Sequence, residues 1–353
     1  MRQRYHYLIE IDLKNSEKPE TLFSGFIDYS GGGSYQDQLV ITNRKISINC
    51  TRASKIDLNG VFNNYQSALY GQITKAIFFY ICRKTTIPEL TSITISTQYR
   101  DRPAGVKKIE DTDFKSHAKL TSGFLSGFKI DRLEAILAES EKGAGLLKAV
   151  SHLTRSKTKH DIYDRFDSLW KSFNALYRTI AKKSTELECQ QTTRSLLLDH
   201  ARASESSRTL LGNITADELR KKLRWRQLIL NDYEHDGKAG AFKDFVLRYT
   251  DARLMQVFKE TLSYRKDSLT KAQHIGAVEA HIEKHLKAGL SKNQEVIAIL
   301  CIKYAYFVRN KSAHGERLDR IIGLSNKEVI EVKWLSDLLE CLIIDLINAN
   351  DLY

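Results

Sequence analysis

Arg309, Asn310 and His314 form the group of residues in this sequence with the clearest chemical potential. They follow an apolar run, and the pattern predicts that a helix ends at Arg309-Asn310. A short polar turn, residues 311–313, would then lead to His314-Gly315. If residues 309–314 instead continue as about one and a half helical turns, the arginine and histidine side chains converge on one patch.

An arginine beside a histidine suits phosphodiester chemistry. The planar guanidinium can bind two phosphate oxygens at once and stays charged. An imidazole exchanges protons near neutral pH. In RNA the 2′-hydroxyl supplies the nucleophile, so the protein needs only to position groups, move protons and stabilise charge. The predicted chemistry is therefore metal-independent RNA cleavage.

The composition agrees with a globular protein and a polyanionic partner. The chain has 353 residues, a hydrophobic fraction of 42% and a formal net charge of +12. A basic protein of this kind favours nucleic acid, although the charge is spread along the chain. No apolar run reaches the roughly 18 residues of a membrane helix, and the first residues lack a signal peptide's apolar region. The five scattered cysteines have no CxxC spacing, which predicts reduced thiols and a cytoplasmic protein.

Residues 1–103 are predicted to form an α+β module. All three prolines lie in this part of the chain, and most of the alternating apolar patterns do too. A helix is predicted at 61–83 from apolar residues three or four positions apart. Strands are predicted at 5–12, 23–29, 39–42, 46–50 and 93–99, with a hairpin at residues 43–45.

The rest of the chain is predicted to be mainly helical. Residues 104–159 are expected to be a linker with one or two short helices at 130–154, interrupted by Gly143 and Gly145. Residues 160–353 then form a helical domain. Its helices are predicted at 161–183, 190–204, 215–233, 240–264, 270–287, 293–310 and 333–349, the last being a core or dimer helix.

Two segments of this helical domain resemble the HEPN superfamily (higher eukaryotes and prokaryotes nucleotide-binding). The first is Arg309-Asn310-Lys-Ser-Ala-His314, followed by Gly-Glu, which matches the family's arginine, polar residue and spaced histidine at a helix end. The second is the aromatic helix around Phe166, Trp170 and Phe173. The resemblance covers roughly residues 160–350, and residues 1–103 resemble no family.

The resemblance implies a helical bundle with insertions, commonly a homodimer whose two Arg…His segments form one composite cleft. It implies an endoribonuclease of a defence, toxin or RNA-processing system, with no cofactor and no metal. His314 would be the general acid/base, Arg309 would hold the scissile phosphate, and Asn310 would orient the pair. Asp164 or Asp167 would support the site. The expected products carry 2′,3′-cyclic phosphate and 5′-hydroxyl ends.

A non-catalytic interpretation of the same residues stays open. A cation and a His-Gly pair at a helix end are also typical of a helix C-terminus and its cap. Some members of the family keep the fold as nucleic-acid-binding, nucleotide-binding or dimerisation proteins. In either case residues 1–103 would be the part that contacts a regulatory partner.

A basic run at residues 220–226 is a second candidate RNA contact. Its cations would follow the phosphate backbone while Trp225 stacks on a base, and Lys311 would add a charge near the cleft. A solvated helix face with Leu223 turned inward explains the same pattern equally well. The candidate residues of the run are Arg220, Lys221, Lys222, Arg224, Trp225 and Arg226.

His281 and His285 have the i, i+4 spacing that can bind zinc. No third ligand lies at a familiar spacing, so a solvated helix face is the favoured interpretation and no metal is predicted. Gly31-Gly32-Gly33 lacks the lysine of a phosphate-binding loop and no helix follows it, so a turn is expected there.

Overall fold

The computed structural model describes residues 4–29, 36–64, 67–113, 119–313 and 327–353. The chain divides into two compact units. The first unit combines an antiparallel sheet with a few helices and the second is helical, which confirms the predicted order of an α+β module and a mainly helical region. The units comprise Met1–His160 with Asn174–Thr179, and Asp161–Phe173 with Ile180–Tyr353.

The first unit is built on an antiparallel sheet. Its strands within the described residues are Tyr5–Leu13 (β1), Thr21–Asp28 (β2), Gln36–Thr42 (β3), Lys45–Arg52 (β4), Leu90–Tyr99 (β5) and Arg102–Glu110 (β6). These six strands lie in the order β2-β3-β4-β1-β5-β6. All of the pairings are antiparallel, and β1 pairs with both β4 and β5.

Alternating residues explain why this sheet forms. Ile9 of β1 lies opposite Ile48 of β4 on one side and Ile95 of β5 on the other, and all three side chains are buried. Successive strand residues point to opposite faces, so this register collects the apolar side chains on one face. Helix α1 (Ala68–Lys84) supplies Phe79, which is also buried.

The predicted linker after residue 103 was wrong. Residues 102–110 form β6, and the first unit extends to residue 160. The strand was missed because it lies at the sheet edge, where most of its side chains are exposed and its sequence lacks a clear apolar alternation. Pro103 is tolerated there because an edge strand leaves one side of its backbone unpaired.

The predicted interruption by two glycines was also wrong. Helix α3 (Glu141–Ser156) passes through both, after the short helix α2 (Ile130–Leu133). A Cβ on Gly143 would lie 2.3 Å from the Ala138 carbonyl oxygen, and one on Gly145 would lie 1.9 Å from Thr179 Oγ1. These glycines therefore permit close packing of the helix and do not end it.

The second unit is an assembly of mostly short helices. Two predicted helices, 215–233 and 240–264, are each divided in two. The first division occurs where Leu223 takes an extended conformation. Together with α4, whose residues the two units share, the helices are Ile162–Ala181 (α4), Glu186–Asp199 (α5), Glu205–Leu211 (α6), Ala216–Lys222 (α7), Trp225–Asp232 (α8), Ala239–Leu247 (α9), Ala252–Thr261 (α10), Lys266–Lys271 (α11), Ile275–Ala288 (α12), Asn293–Ala298 (α13), Ala305–Ala313 (α14) and Lys327–Asn348 (α15).

Helix α15 lies in the core of the second unit. Most of its apolar side chains are buried, and so are Glu331, Glu340 and Asp345. Asp345 accepts hydrogen bonds from the backbone amides of Ser206 and Ser207 at 2.9 and 2.8 Å. None of the helices in the described ranges is both long and apolar enough to span a bilayer.

A buried ion pair crosses β3 and β4 in the first unit. Arg52 donates from Nη1 and Nη2 to the two carboxylate oxygens of Asp37, both at 2.6 Å. Gln72 of α1 donates to Asp37 Oδ2 at 3.0 Å, and Tyr29 stacks on the guanidinium at 3.5 Å. The side chain of Asp37 is 0% exposed and that of Arg52 is 4% exposed. Water therefore cannot solvate either charge if the other is removed.

We expect Asp37→Asn to lower the free energy of unfolding by about 3–5 kcal/mol, because it leaves Arg52 buried without a counter-charge. Urea denaturation followed by circular dichroism measures the change. Glu89→Gln is the matched control, because its partner Lys14 and Glu89 are both largely exposed and little change is expected. Equal effects of the two variants would contradict the assignment.

The five cysteines should not react with iodoacetamide in the native protein. All are buried free thiols. Burial raises the pKa of Cys50 to about 12 and also raises the pKa of Cys82 and Cys301, so these three thiols carry almost no reactive thiolate at pH 8. Cys189 and Cys341 are protected because burial keeps the reagent from them. Mass spectrometry should find no alkylation before denaturation and five alkylated sites after it. Rapid labelling of the native chain at pH 8 would contradict this.

Candidate functional site

The helix that carries Arg309 is continuous over residues 293–313. Helices α13 and α14 are joined without a break by a π-helical segment, Ile299–Tyr304. The predicted end at Arg309-Asn310 and the turn at residues 311–313 were wrong, because the helix extends through Ala313. A π turn holds an extra residue, so the following side chains are rotated by roughly 100° from the positions that an α-helical pattern predicts.

Tyr304, the last residue of the π segment, anchors this helix. Its hydroxyl accepts a hydrogen bond from the Arg224 backbone amide at 2.7 Å and donates to the buried Glu331 of α15. Burial, together with the Glu331 carboxylate, raises the pKa of Tyr304 well above its ordinary value, so the phenol stays protonated. The helix is therefore fixed five residues before Arg309.

Arg224 also binds Glu331, so Tyr304, Glu331 and Arg224 form one hydrogen-bonded cluster. Arg224 Nε donates to Glu331 Oε2 at 2.6 Å, and its Nη1 lies 3.3 Å from Glu328 Oε1. Burial alone would lower the pKa of Arg224, but the two carboxylates and Tyr304 outweigh it and the pKa is raised. The guanidinium is thus committed to structural ion pairs.

The aromatic helix α4 contacts the helix that carries Arg309. The ring centroids of Trp170 and Tyr306 lie 5.9 Å apart. The predicted apolar face of α4 is confirmed, since all of its predicted members are buried. These are Phe166, Leu169, Trp170, Phe173, Leu176, Tyr177 and Ile180.

Arg309 and Asn310 form the described part of the predicted site. Arg309 Nη1 donates to Asn310 Oδ1 at 3.1 Å, and both side chains are partly exposed. Among the residues that the structure describes, the Arg309 guanidinium has no acidic partner. Lys311 is also partly exposed. His314, the third predicted residue of the site, lies outside the described residues.

The two candidate supporting carboxylates lie on α4. Asp164 is exposed in its first turn. Asp167 forms an ion pair with Lys171 at 2.6 Å, and both side chains are about half exposed. The Asp167 carboxylate is therefore already occupied by a neighbouring cation, whereas the role of Asp164 stays a prediction.

The basic run at residues 220–226 does not offer the predicted base-stacking surface. Trp225 is 2% exposed and donates its indole N–H to the Leu219 carbonyl at 3.1 Å. The side chain was predicted to stack on RNA but belongs to the core, where it packs on Tyr304 with ring centroids 5.6 Å apart.

Most cations of that run already have intramolecular partners. Arg220 pairs with Asp217 and Glu260, and Lys221 pairs with Asp217 at 2.6 Å. Lys222 lies over the Trp334 ring, 5.6 Å from its centroid, and Arg226 lies over Tyr264 at 5.0 Å. With Arg224 in ion pairs as well, the run is better explained as a structural surface than as an RNA path.

The two histidines of α12 lie close together, without a third metal-binding side chain beside them in the described part of the chain. The rings of His281 and His285 lie 4.5 Å apart, and His281 Nε2 donates to the Tyr249 carbonyl at 2.7 Å. Burial and then the neighbouring His281 lower the pKa of His285. Across the described parts of the chain, no three histidine, cysteine or acidic side chains are grouped as a metal site would require.

Comparison with known proteins gives no further assignment, since no protein-family model, curated protein or solved structure matches this chain.

Sequence reasoning missed Tyr304 and Glu331 as the residues that hold the site's helix. An acid flanked by apolar residues, as Glu331 is by Ile330 and Val332, signals a buried, paired carboxylate. The sequence could not name its partners, because Arg224 and Tyr304 reach it only through the tertiary fold.

We expect Tyr304→Phe to lower the free energy of unfolding by about 1–3 kcal/mol, because the Arg224 amide and the Glu331 carboxylate each lose a partner. Tryptophan fluorescence during urea denaturation reports the change, since Trp225 packs on this ring. Tyr264→Phe is the matched control because Tyr264 is 40% exposed. An equal loss in both variants would show that the Tyr304 hydroxyl is not an anchor.

Proposed function

We propose that this chain is a metal-independent endoribonuclease of the HEPN type, acting in the cytoplasm as a homodimer with a composite active site. The observation that carries the proposal is the state of Arg309. Its guanidinium is partly exposed, is held by the Asn310 amide, and has no acidic partner among the described residues. An arginine in this state is available to a phosphate.

The contrast with neighbouring arginines strengthens this argument. Arg165 pairs with Asp337 and Glu340 at 2.7 and 2.8 Å, and Arg224 pairs with Glu328 and Glu331. Both of these arginines are thus neutralised by carboxylates. Arg309 differs from them, because its partner within the described residues is a neutral amide, so its full charge remains for a ligand.

In the proposed reaction, the RNA 2′-hydroxyl loses its proton and attacks the adjacent phosphorus. The bond from phosphorus to the 5′-oxygen breaks, and that oxygen takes up a proton. His314 would exchange these protons, and two copies in a dimer would allow one to accept while the other donates. Arg309 would bind the non-bridging oxygens, and Asn310 would orient its guanidinium. The products carry 2′,3′-cyclic phosphate and 5′-hydroxyl ends.

The biological setting that we propose is a prokaryotic defence or toxin system. Residues 1–103 would contact a regulatory partner that controls cleavage. The support for this part is the resemblance of the Arg309–His314 segment to nucleases of such systems.

We expect His314→Ala and Arg309→Ala each to reduce RNA cleavage by about 100-fold or more, because each removes one part of transition-state stabilisation. The assay is cleavage of labelled RNA by the purified protein in EDTA, with the chemistry of the new ends determined. His235→Ala and Arg202→Ala are matched controls, since both residues are exposed and lie outside the proposed site.

Both controls should cleave like the wild type. Full activity of either site variant would refute the proposal. Folded wild-type protein that binds RNA but never cleaves it would instead support the non-catalytic alternative.

A further inference from the structure

A polar cavity of about 560 Å³ lies in the second unit. None of the described residues that line it is among the proposed nuclease residues. It lies between α6, the loop that leads into α7, α10 and the beginning of α13. A volume of this size suits a small organic ligand. Two arginines, Arg208 and Arg253, are among the residues that line it.

Arg253 holds two walls of this cavity together. Its Nη1 donates to the Ile214 carbonyl at 3.2 Å, and its Nη2 donates to Asn293 Oδ1 at 2.9 Å. Nε and Nη2 also bind Asp251, which offsets the charge. The walls are therefore fixed before any ligand binds, which reduces the entropy cost of binding.

Arg208 supplies the uncompensated charge. Its Nε donates to the Ser204 carbonyl at 3.3 Å, and the side chain is partly buried. Within the described residues Arg208 forms no ion pair, and none of the residues that line the cavity is acidic. The cavity therefore carries a net positive charge at one wall.

The uncharged polar side chains of the cavity indicate what the part of the ligand beyond its anionic group would be. The Ser291 hydroxyl and the side-chain amides of Asn213 and Gln294 offer both donors and acceptors, whereas the Thr215 hydroxyl and the Asn293 amide already bind groups of the protein. No aromatic side chain is present among the described lining residues, so a stacked nucleobase has no platform. These groups match a polyhydroxylated molecule that bears an anion.

We propose that this cavity binds a sugar phosphate, with the Arg208 guanidinium on the phosphate and the hydroxyl and amide groups on the sugar. Arginine is suited to this task because its planar fork donates two parallel hydrogen bonds to phosphate oxygens. The inference does not depend on the proposed nuclease activity, because no residue of the cavity takes part in that reaction.

Isothermal titration calorimetry with ribose 5-phosphate tests the site. The wild-type protein should bind it with a Kd of about 1 mM or tighter. Arg208→Gln should weaken binding at least about tenfold, because a charge-assisted hydrogen bond is lost. Arg202→Gln is the matched control, since Arg202 is an exposed arginine of the preceding turn that does not line the cavity, and it should bind like the wild type.

A second variant tests the position of the ligand. Ser291→Phe places a bulky ring in the cavity from an exposed position, and it should abolish binding. Circular dichroism confirms that both variants are folded. The proposal is overturned if the wild type does not bind, if Arg208→Gln or Ser291→Phe binds equally well, or if ribose without phosphate binds as tightly.

A sugar phosphate occurs both as a free metabolite and at the 5′-phosphorylated end of an RNA. A 2′-O-methyl oligonucleotide with a 5′-phosphate distinguishes them, because it cannot be cleaved through its 2′-oxygens. Tighter binding of this oligonucleotide than of ribose 5-phosphate, lost on Arg208→Gln, assigns the site to an RNA end. Tighter binding of ribose 5-phosphate assigns it to a small molecule.

Discussion

Three carboxylates buried on helix α15 determine how the second unit packs. A charge removed from water costs several kcal/mol unless a partner and hydrogen bonds compensate it. Glu331 binds Arg224 and Tyr304, Glu340 binds Arg165 of α4, and Asp345 binds backbone amides in the first turn of α6. The three carboxylates therefore connect α15 to four neighbours: the α7–α8 junction, the helix of residues 293–313, α4 and α6.

Pairing between cationic and acidic side chains within the protein also decides which cations are left to bind a ligand. Acidic or aromatic side chains of the protein already bind the cations of the basic run at residues 220–226, and acidic side chains bind Arg165. Arg208 and Arg309 are hydrogen-bonded only to a carbonyl and an amide oxygen within the described residues. A net charge of +12 is thus a poor guide to binding surfaces, because what matters is which cations lack an acidic partner.

The sequence allowed the architecture to be predicted where one side of an element is buried. The strands around Ile9 and Ile48 and the aromatic face of α4 follow from periods of two and of three to four residues, and the structure confirms them. Strand β6 was missed because an exposed edge strand has no such period. The divisions of the predicted helices were missed because contacts distant in sequence, such as that between Arg224 and Tyr304, decide them.

The candidate site was predictable in type but not in detail. Arg309 and Asn310 were identified from their chemistry, and the structure places them in contact. The sequence suggested that Trp225 would stack on RNA, yet burial made it a core residue that supports Tyr304. Residue type and spacing indicate chemistry, whereas exposure depends on packing that a single sequence does not specify.

The π-helical segment at Ile299–Tyr304 also bears on how this chain can change in length. A residue deleted from a buried α-helix turns everything beyond it by roughly 100°, which removes its side chains from their contacts. A π turn already contains one residue more than an α turn requires, so a deletion there can be absorbed by a return to α-helical geometry. Chain-length variation in this buried helix would therefore be tolerated at the π segment, with both flanking faces keeping their orientation.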